Sequence, residues 1–151
     1  MGKRRDAREW ALKALYLVDS SGLAAKQALR AVRPEAVDEK RAAEEESKAA
    51  FAESLVVGAI RKRKEIDRAI EAAAKNWKID RMAVVDRNIL RLAAYELLHG
   101  DAPKVSAINE AIEIARKYST EESTKFINGI LDKIRATKRD PEEHSPGHRE
   151  A

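Results

Sequence analysis

Basic side chains crowd the start of the chain. The stretch "GKRRDAR" places Lys3, Arg4, Arg5 and Arg8 within two helical turns. Arg4 and Arg8 are spaced i, i+4, and Arg5 and Arg8 i, i+3, so a helix puts all three on one side. A helix dipole disfavours cations at the N-terminus. Cations there invite an anion from outside, and guanidinium groups offer a fork for phosphate and a plane for stacking on bases. The alternative is a basic, disordered start with no ligand. A second run, "RKRKEIDR" from Arg61 to Arg68, interleaves Glu65 and Asp67 with its cations and reads as a solvated helix face.

No catalytic constellation accompanies these charges. The three histidines are His99, His144 and His148. The last two are spaced i, i+4, but Pro146 and Gly147 in "HSPGH" prevent a helix from presenting them together, so no metal site is expected. The sequence has no phosphate loop, dinucleotide fingerprint or nucleophile elbow. With no cysteine, neither disulfides nor thiol chemistry is available, which fits a reducing, cytoplasmic compartment. No cofactor is expected, and the chain reads as a binding protein, not an enzyme.

The elements that must position the cations are helices. Charged residues make up 37% of the 151 residues and aromatics 5%, while glycine and proline are scarce before the tail. That composition favours helices with large solvated faces. The net charge of +4 is too small to name a partner, so the clustering carries the argument. No window approaches the ~18 apolar residues of a membrane span, and the charged N-terminus lacks the apolar run of a signal peptide.

The periodicity predicts a first helix from about Asp6 to Asp19, buried through Ala7, Ala11, Ala14, Leu15 and Val18, and stopped by "DSSG". A short helix follows from Ala24 to Val32. Asp38 to Trp77 reads as one long helix or two in series, with Gly58 marking a kink or a close contact. Lys78 to Gly100 is the most apolar helix, with Asp80 as its predicted N-cap; its wide stripe of Val85, Ile89, Leu92 and Leu97 marks it as central. Ser106 is the predicted cap of the next helix, and Ser119 with Glu122 forms a predicted capping box for the last, which runs to about Ala136. Residues 137–151 lack apolar periodicity and are expected to be a disordered polar tail. The fold class is all-α, a compact bundle of about six to seven helices over residues 1–136.

"KFINGILDKI", Lys125 to Ile134, holds an Asn-Gly pair inside an apolar helical stripe. A mid-helix glycine costs roughly 1 kcal/mol against alanine. The expectation is that Gly129 admits a neighbouring helix and that Asn128 hydrogen-bonds across the gap. Asn109 is expected to tie helix ends together, and Trp10 and Trp77 to be structural.

Four stretches, "KRRDAREWALKALY", "RNILRLAAYEL", "SAINEAIEIARKY" and "KFINGILDKI", resemble in that order the motifs of the NusB family of bacterial transcription antitermination factors. The resemblance spans residues 3 to about 135. It implies two packed helical sub-bundles. It also implies binding of single-stranded boxA RNA together with NusE, a small-subunit ribosomal protein, in the antitermination complex with RNA polymerase.

Position by position, the resemblance implies RNA contacts at Lys3, Arg4, Arg5 and Arg8, at Tyr16, and at Glu122 and Phe126, with Lys117 and Lys125 on the flanks. Glu122 stands where the family frequently has aspartate. Asp86, Arg87 and Arg91 are implied on the NusE side. Tyr16 and Phe126 have a second reading as ordinary packing residues. Two other functions stay open: a protein–protein scaffold, and an RNA-targeting module of a ribosomal RNA methyltransferase system. A homodimer masking the basic surface is a further possibility.

Overall fold

The structure, a computed structural model, describes residues 2–33, 38–75 and 77–137. Of the expected tail, residues 137–151, only Thr137 is described, and it ends a helix; residues 138–151, with His144 and His148, lie outside the described residues. Seven α-helices and one 3-10 turn make up the regular structure of the described residues: α1 Gly2–Ser21, α2 Ala25–Val32, α3 Glu39–Arg61, α4 Arg63–Ala73, the turn Ile79–Arg81, α5 Val84–His99, α6 Lys104–Tyr118 and α7 Glu121–Thr137.

Helix α1 begins at Gly2, four residues ahead of the predicted start, so the basic run is helical throughout. Its buried face is Ala7, Trp10, Ala11, Ala14 and Leu15. Gly22, at φ +71°, takes the left-handed conformation that ends the helix and donates its N–H to the Val18 carbonyl at 3.1 Å. Asp38 caps α3 by accepting the Arg41 N–H at 2.8 Å. The long helical stretch is two helices in series, broken at Lys62.

Helices α1, α2 and α3 form one packed group and α4 to α7 another. Helix α5 lies between the groups and touches α1, α3, α4, α6 and α7. Its buried Ile89, Leu90, Leu92, Ala93, Ala94 and Leu97 account for the wide apolar sector read from the sequence. Gly58 supplies the close contact: an added Cβ would lie 2.2 Å from the Tyr95 ring.

Three predicted caps differ. Asp80 sits in the 3-10 turn, and α5 starts only at Val84, because the turn is used to bury Met82. Helix α6 starts at Lys104, directly after Pro103, whose fixed φ suits a helix start. Ser119 ends α6; the cap of α7 is Thr120, whose Oγ1 accepts the Ser123 N–H at 3.0 Å. The Asn128–Gly129 expectation fails. Both residues are exposed, and nothing lies within 4 Å of a Cβ added at Gly129. The apolar stripe runs through Ile127, Ile130, Leu131 and Ile134, while Asn128 and Gly129 face away from it. Asn109 is likewise exposed and makes no tie between helix ends. No helix of the described residues is long and apolar enough to cross a membrane.

Candidate nucleic-acid interface

Long charged side chains of α1 reach across to α5 and α6, and these contacts form a seam. Arg5 donates to Glu110 through Nε at 2.7 Å and Nη2 at 3.2 Å. Arg8 donates to Glu96 of α5 through Nε at 2.8 Å and Nη2 at 2.9 Å. Glu9 accepts from Lys117 Nζ and from the Tyr118 hydroxyl, both at 2.8 Å. Lys13 and Lys117 approach the Tyr118 ring, 5.9 and 5.3 Å from its centroid. Residues more than a hundred positions apart thus share one edge.

The three arginines of the first turns go to three places. Arg8 is 5% exposed, and Glu96 is as deeply buried. Arg5 is half-exposed in its pair with Glu110. The Arg5 hydrogen bond holds the Glu110 carboxyl below the usual carboxylate range, with burial opposing. Arg4 is exposed and rests its guanidinium 4.2 Å above the Phe51 ring. Lys3 is exposed at the helix start. The anions called for by the helix dipole are therefore partly internal: Glu96 and Glu110. Burial raises the Tyr118 hydroxyl above its ordinary value, and the hydrogen bond to Glu9 adds to this.

The start of α7 prolongs this edge. Tyr118 ends α6, and Glu122, Lys125 and Phe126 follow on the first turns of α7, all exposed. Phe126 is 36% exposed and meets Trp77 edge-on, with ring centroids 6.2 Å apart. Trp77, 54% exposed, is a surface residue and not the structural tryptophan expected; Trp10 is the buried one. The two aromatics line a shallow depression with Arg81, Asp86, Glu122 and Ser123. Tyr16 is 39% exposed on α1.

Asp86, Arg87 and Arg91 are engaged in holding helices together. Asp86 accepts from the Ser119 and Ser123 hydroxyls at 2.5 and 2.7 Å, tying α5 to the α6–α7 junction. Arg87 grips Asp19 through Nε at 2.7 Å and Nη2 at 2.8 Å. Arg91 bridges Asp67 of α4 at 2.9 Å and Asp19 of α1 at 2.9 Å. Asn88 adds a donor to Asp19 at 2.9 Å. The Arg87 hydrogen bonds, with Asn88 and Arg91 behind them, hold the Asp19 carboxyl well below the usual carboxylate range despite its desolvation.

Sequence reasoning missed Trp77, Lys13 and the acidic partners. Glu96 and Glu110 carried a signal: each is a carboxylate inside an apolar stripe, where an ionised group survives only with a partner. The second basic run behaves largely as read. Arg61 to Glu65 are exposed, whereas Asp67 turns inward to Arg91.

Fold and edge together define an all-helical adaptor whose surface is built from cations and exposed rings, with no metal-holding group of acidic and histidine side chains among the described residues. The chain belongs to the NusB family of transcription antitermination factors, a non-enzymatic, RNA-binding family, and matches its sequence profile over residues 5–136. The transcription antitermination protein NusB of Trichlorobacter lovleyi is 48% identical over 143 residues, covering 94% of this chain and 96% of that protein. Its namesake in Geobacter sulfurreducens is 51% identical over 138 residues, covering 91% and 96%. The solved structure of T. maritima NusB superposes with a TM-score of 0.77 at 39% identity, covering 93% of this chain and 94% of that one. A chain from the crystal structure of antitermination factors NusB and NusE in complex with dsRNA gives 0.78 at 30% identity, covering 91% and 98%.

Proposed function

We propose that this chain binds single-stranded boxA RNA jointly with NusE and carries it to the antitermination complex on RNA polymerase, in the cytoplasm. The observation that supports this reading best is the α1–α6 seam. It brings half-exposed Arg5 onto the same edge as Lys13 and Lys117, with exposed Tyr16 further along α1 and exposed Lys3 and Arg4 at its start. Cations spread along an edge neutralise successive phosphates, and exposed rings receive unpaired bases. Lys125, Phe126 and Trp77 extend the edge, and Glu122 sets a like charge beside it that limits RNA affinity.

Arg8 acts from beneath, as a positioning residue that fixes α1 against α5. Asp86, Arg87 and Arg91 shape the surface offered to NusE by rigidifying the start of α5, and their bound charges are not themselves spare contacts. If NusE tightens RNA binding, RNA must tighten NusE binding by the same factor.

The test is a filter-binding titration of boxA RNA with and without NusE. The expected result is weak retention by the chain alone and much stronger retention with NusE. No retention in either case would leave a protein–protein scaffold as the function.

A further inference from the structure

We infer that the three-helix group α1–α3 carries a second interaction surface, a groove that takes an acidic helical segment of a partner protein. Its floor is apolar, formed by Trp10, Leu29 and Ala49. Its rim is cationic, formed by Lys26, Arg30 and Arg33, with Glu53 opposite. Lys26, Leu29, Arg30 and Arg33 follow the i, i+3, i+4, i+7 pattern, so α2 and its C-cap turn one continuous face to the groove. That face does not touch the seam already described, because α2 packs on α1 and α3.

Uncompensated charge points to an occupant. Arg33 is neutralised by Glu46 at 2.9 Å, but the exposed Lys26 and Arg30 side chains have no hydrogen-bond or ion-pair partner among the described residues. Trp10, 5% exposed, is part of the apolar floor beside them.

The charge and shape select the class. Two unpaired cations one helical turn apart complement two carboxylates at the same spacing on a docking helix. The floor between them accepts one apolar side chain, as in other helix-in-groove complexes. A nucleic acid is disfavoured because the only ring in the groove is buried and offers no face for a base.

The test pans a displayed library of short helical peptides against the full chain, with counter-selection on the Lys26→Glu, Arg30→Glu double variant. Enriched peptides are expected to carry two acidic residues one turn apart around an apolar residue. They should bind the parent at least about tenfold more tightly than the double variant. In a Trp77→Phe background, where Trp10 is the only tryptophan, they should shift its emission. A Lys26→Gln, Arg30→Gln variant, which removes charge without repulsion, should rank between the two. Binding of boxA RNA with NusE should be unchanged by the Lys26 and Arg30 substitutions when Trp77 is retained. No enrichment, peptides that ignore the charge reversal, or unchanged Trp10 emission would overturn the proposal. So would a loss of RNA affinity in the double variant, which would assign these cations to nucleic acid.

Discussion

Arg8 of α1 and Glu96 of α5 form a two-pronged ion pair, at 2.8 and 2.9 Å, with side-chain exposures of 6% and 4%. Removing one member of such a pair leaves a buried charge uncompensated. Arg8→Ala should therefore destabilise the fold by about 3–5 kcal/mol, measured by urea unfolding. Arg8→Met combined with Glu96→Leu should recover most of the loss, since an apolar pair of similar volume needs no desolvation. An Arg8→Ala protein as stable as its parent would show that the pair is not formed.

Lys3 and Arg4 behave oppositely, because both side chains are exposed and neither has an ion-pair partner among the described residues. Lys3→Ala with Arg4→Ala should leave unfolding nearly unchanged. The slope of log RNA affinity against log salt should become shallower by about 0.7 for each phosphate that is no longer neutralised. Titrations at several salt concentrations, with NusE present, give the slope directly.

Phe126 and Trp77 meet at 6.2 Å while both remain open to solvent. Phe126→Ala should weaken the complex with RNA and NusE by about 1–3 kcal/mol if a base stacks there, with little change in melting temperature. The emission of Trp77 should shift when the complex forms. Absence of both effects would place the aromatic pair outside the interface.

Asp19 provides a pH signature. Its native pKa is depressed by Arg87, Asn88 and Arg91, so its contribution to stability is present above the unfolded-state value and is lost as pH falls toward the native one. The contribution should be whole above about pH 5 and shrink from roughly pH 4 downward. Asp19→Asn should cost about 3 kcal/mol near neutrality, and the gap between the two proteins should close in acid. Urea unfolding at a series of pH values measures this gap.

Gly129 and Gly58 should respond in opposite directions to alanine. At Gly129 nothing lies within 4 Å of a new Cβ, so the substitution should stabilise α7 by about 1 kcal/mol through helix propensity alone. At Gly58 a Cβ would fall 2.2 Å from Tyr95, and the ring must move. Thermal unfolding of the two variants should show a higher midpoint for the first and a lower one for the second.

Much of the fold was legible because helical periodicity is a local property. The stripe through Ile89, Leu92 and Leu97 identified α5 as central, and Gly58 marked a kink or a close contact, between which only the Tyr95 ring decided. Helix starts were less legible. Ser106 and Ser119 are good caps by type, but Pro103 and Thr120 hold those places, because competing signals a few residues apart are settled by how the segment packs. The aromatic edge was half legible: Phe126 had two readings, and Trp77 had only a structural one.

The sequence by itself determined that the chain is helical, which stripes are buried, and, through four motifs, which family it resembles. Only the tertiary structure decided which charges face inward. Arg5, Arg8 and Arg87 meet carboxylates 105, 88 and 68 positions away. Spacing along one helix fixes which side chains share a side. It does not fix what that side will meet, because the countercharge comes from another helix, and packing alone brings the two together.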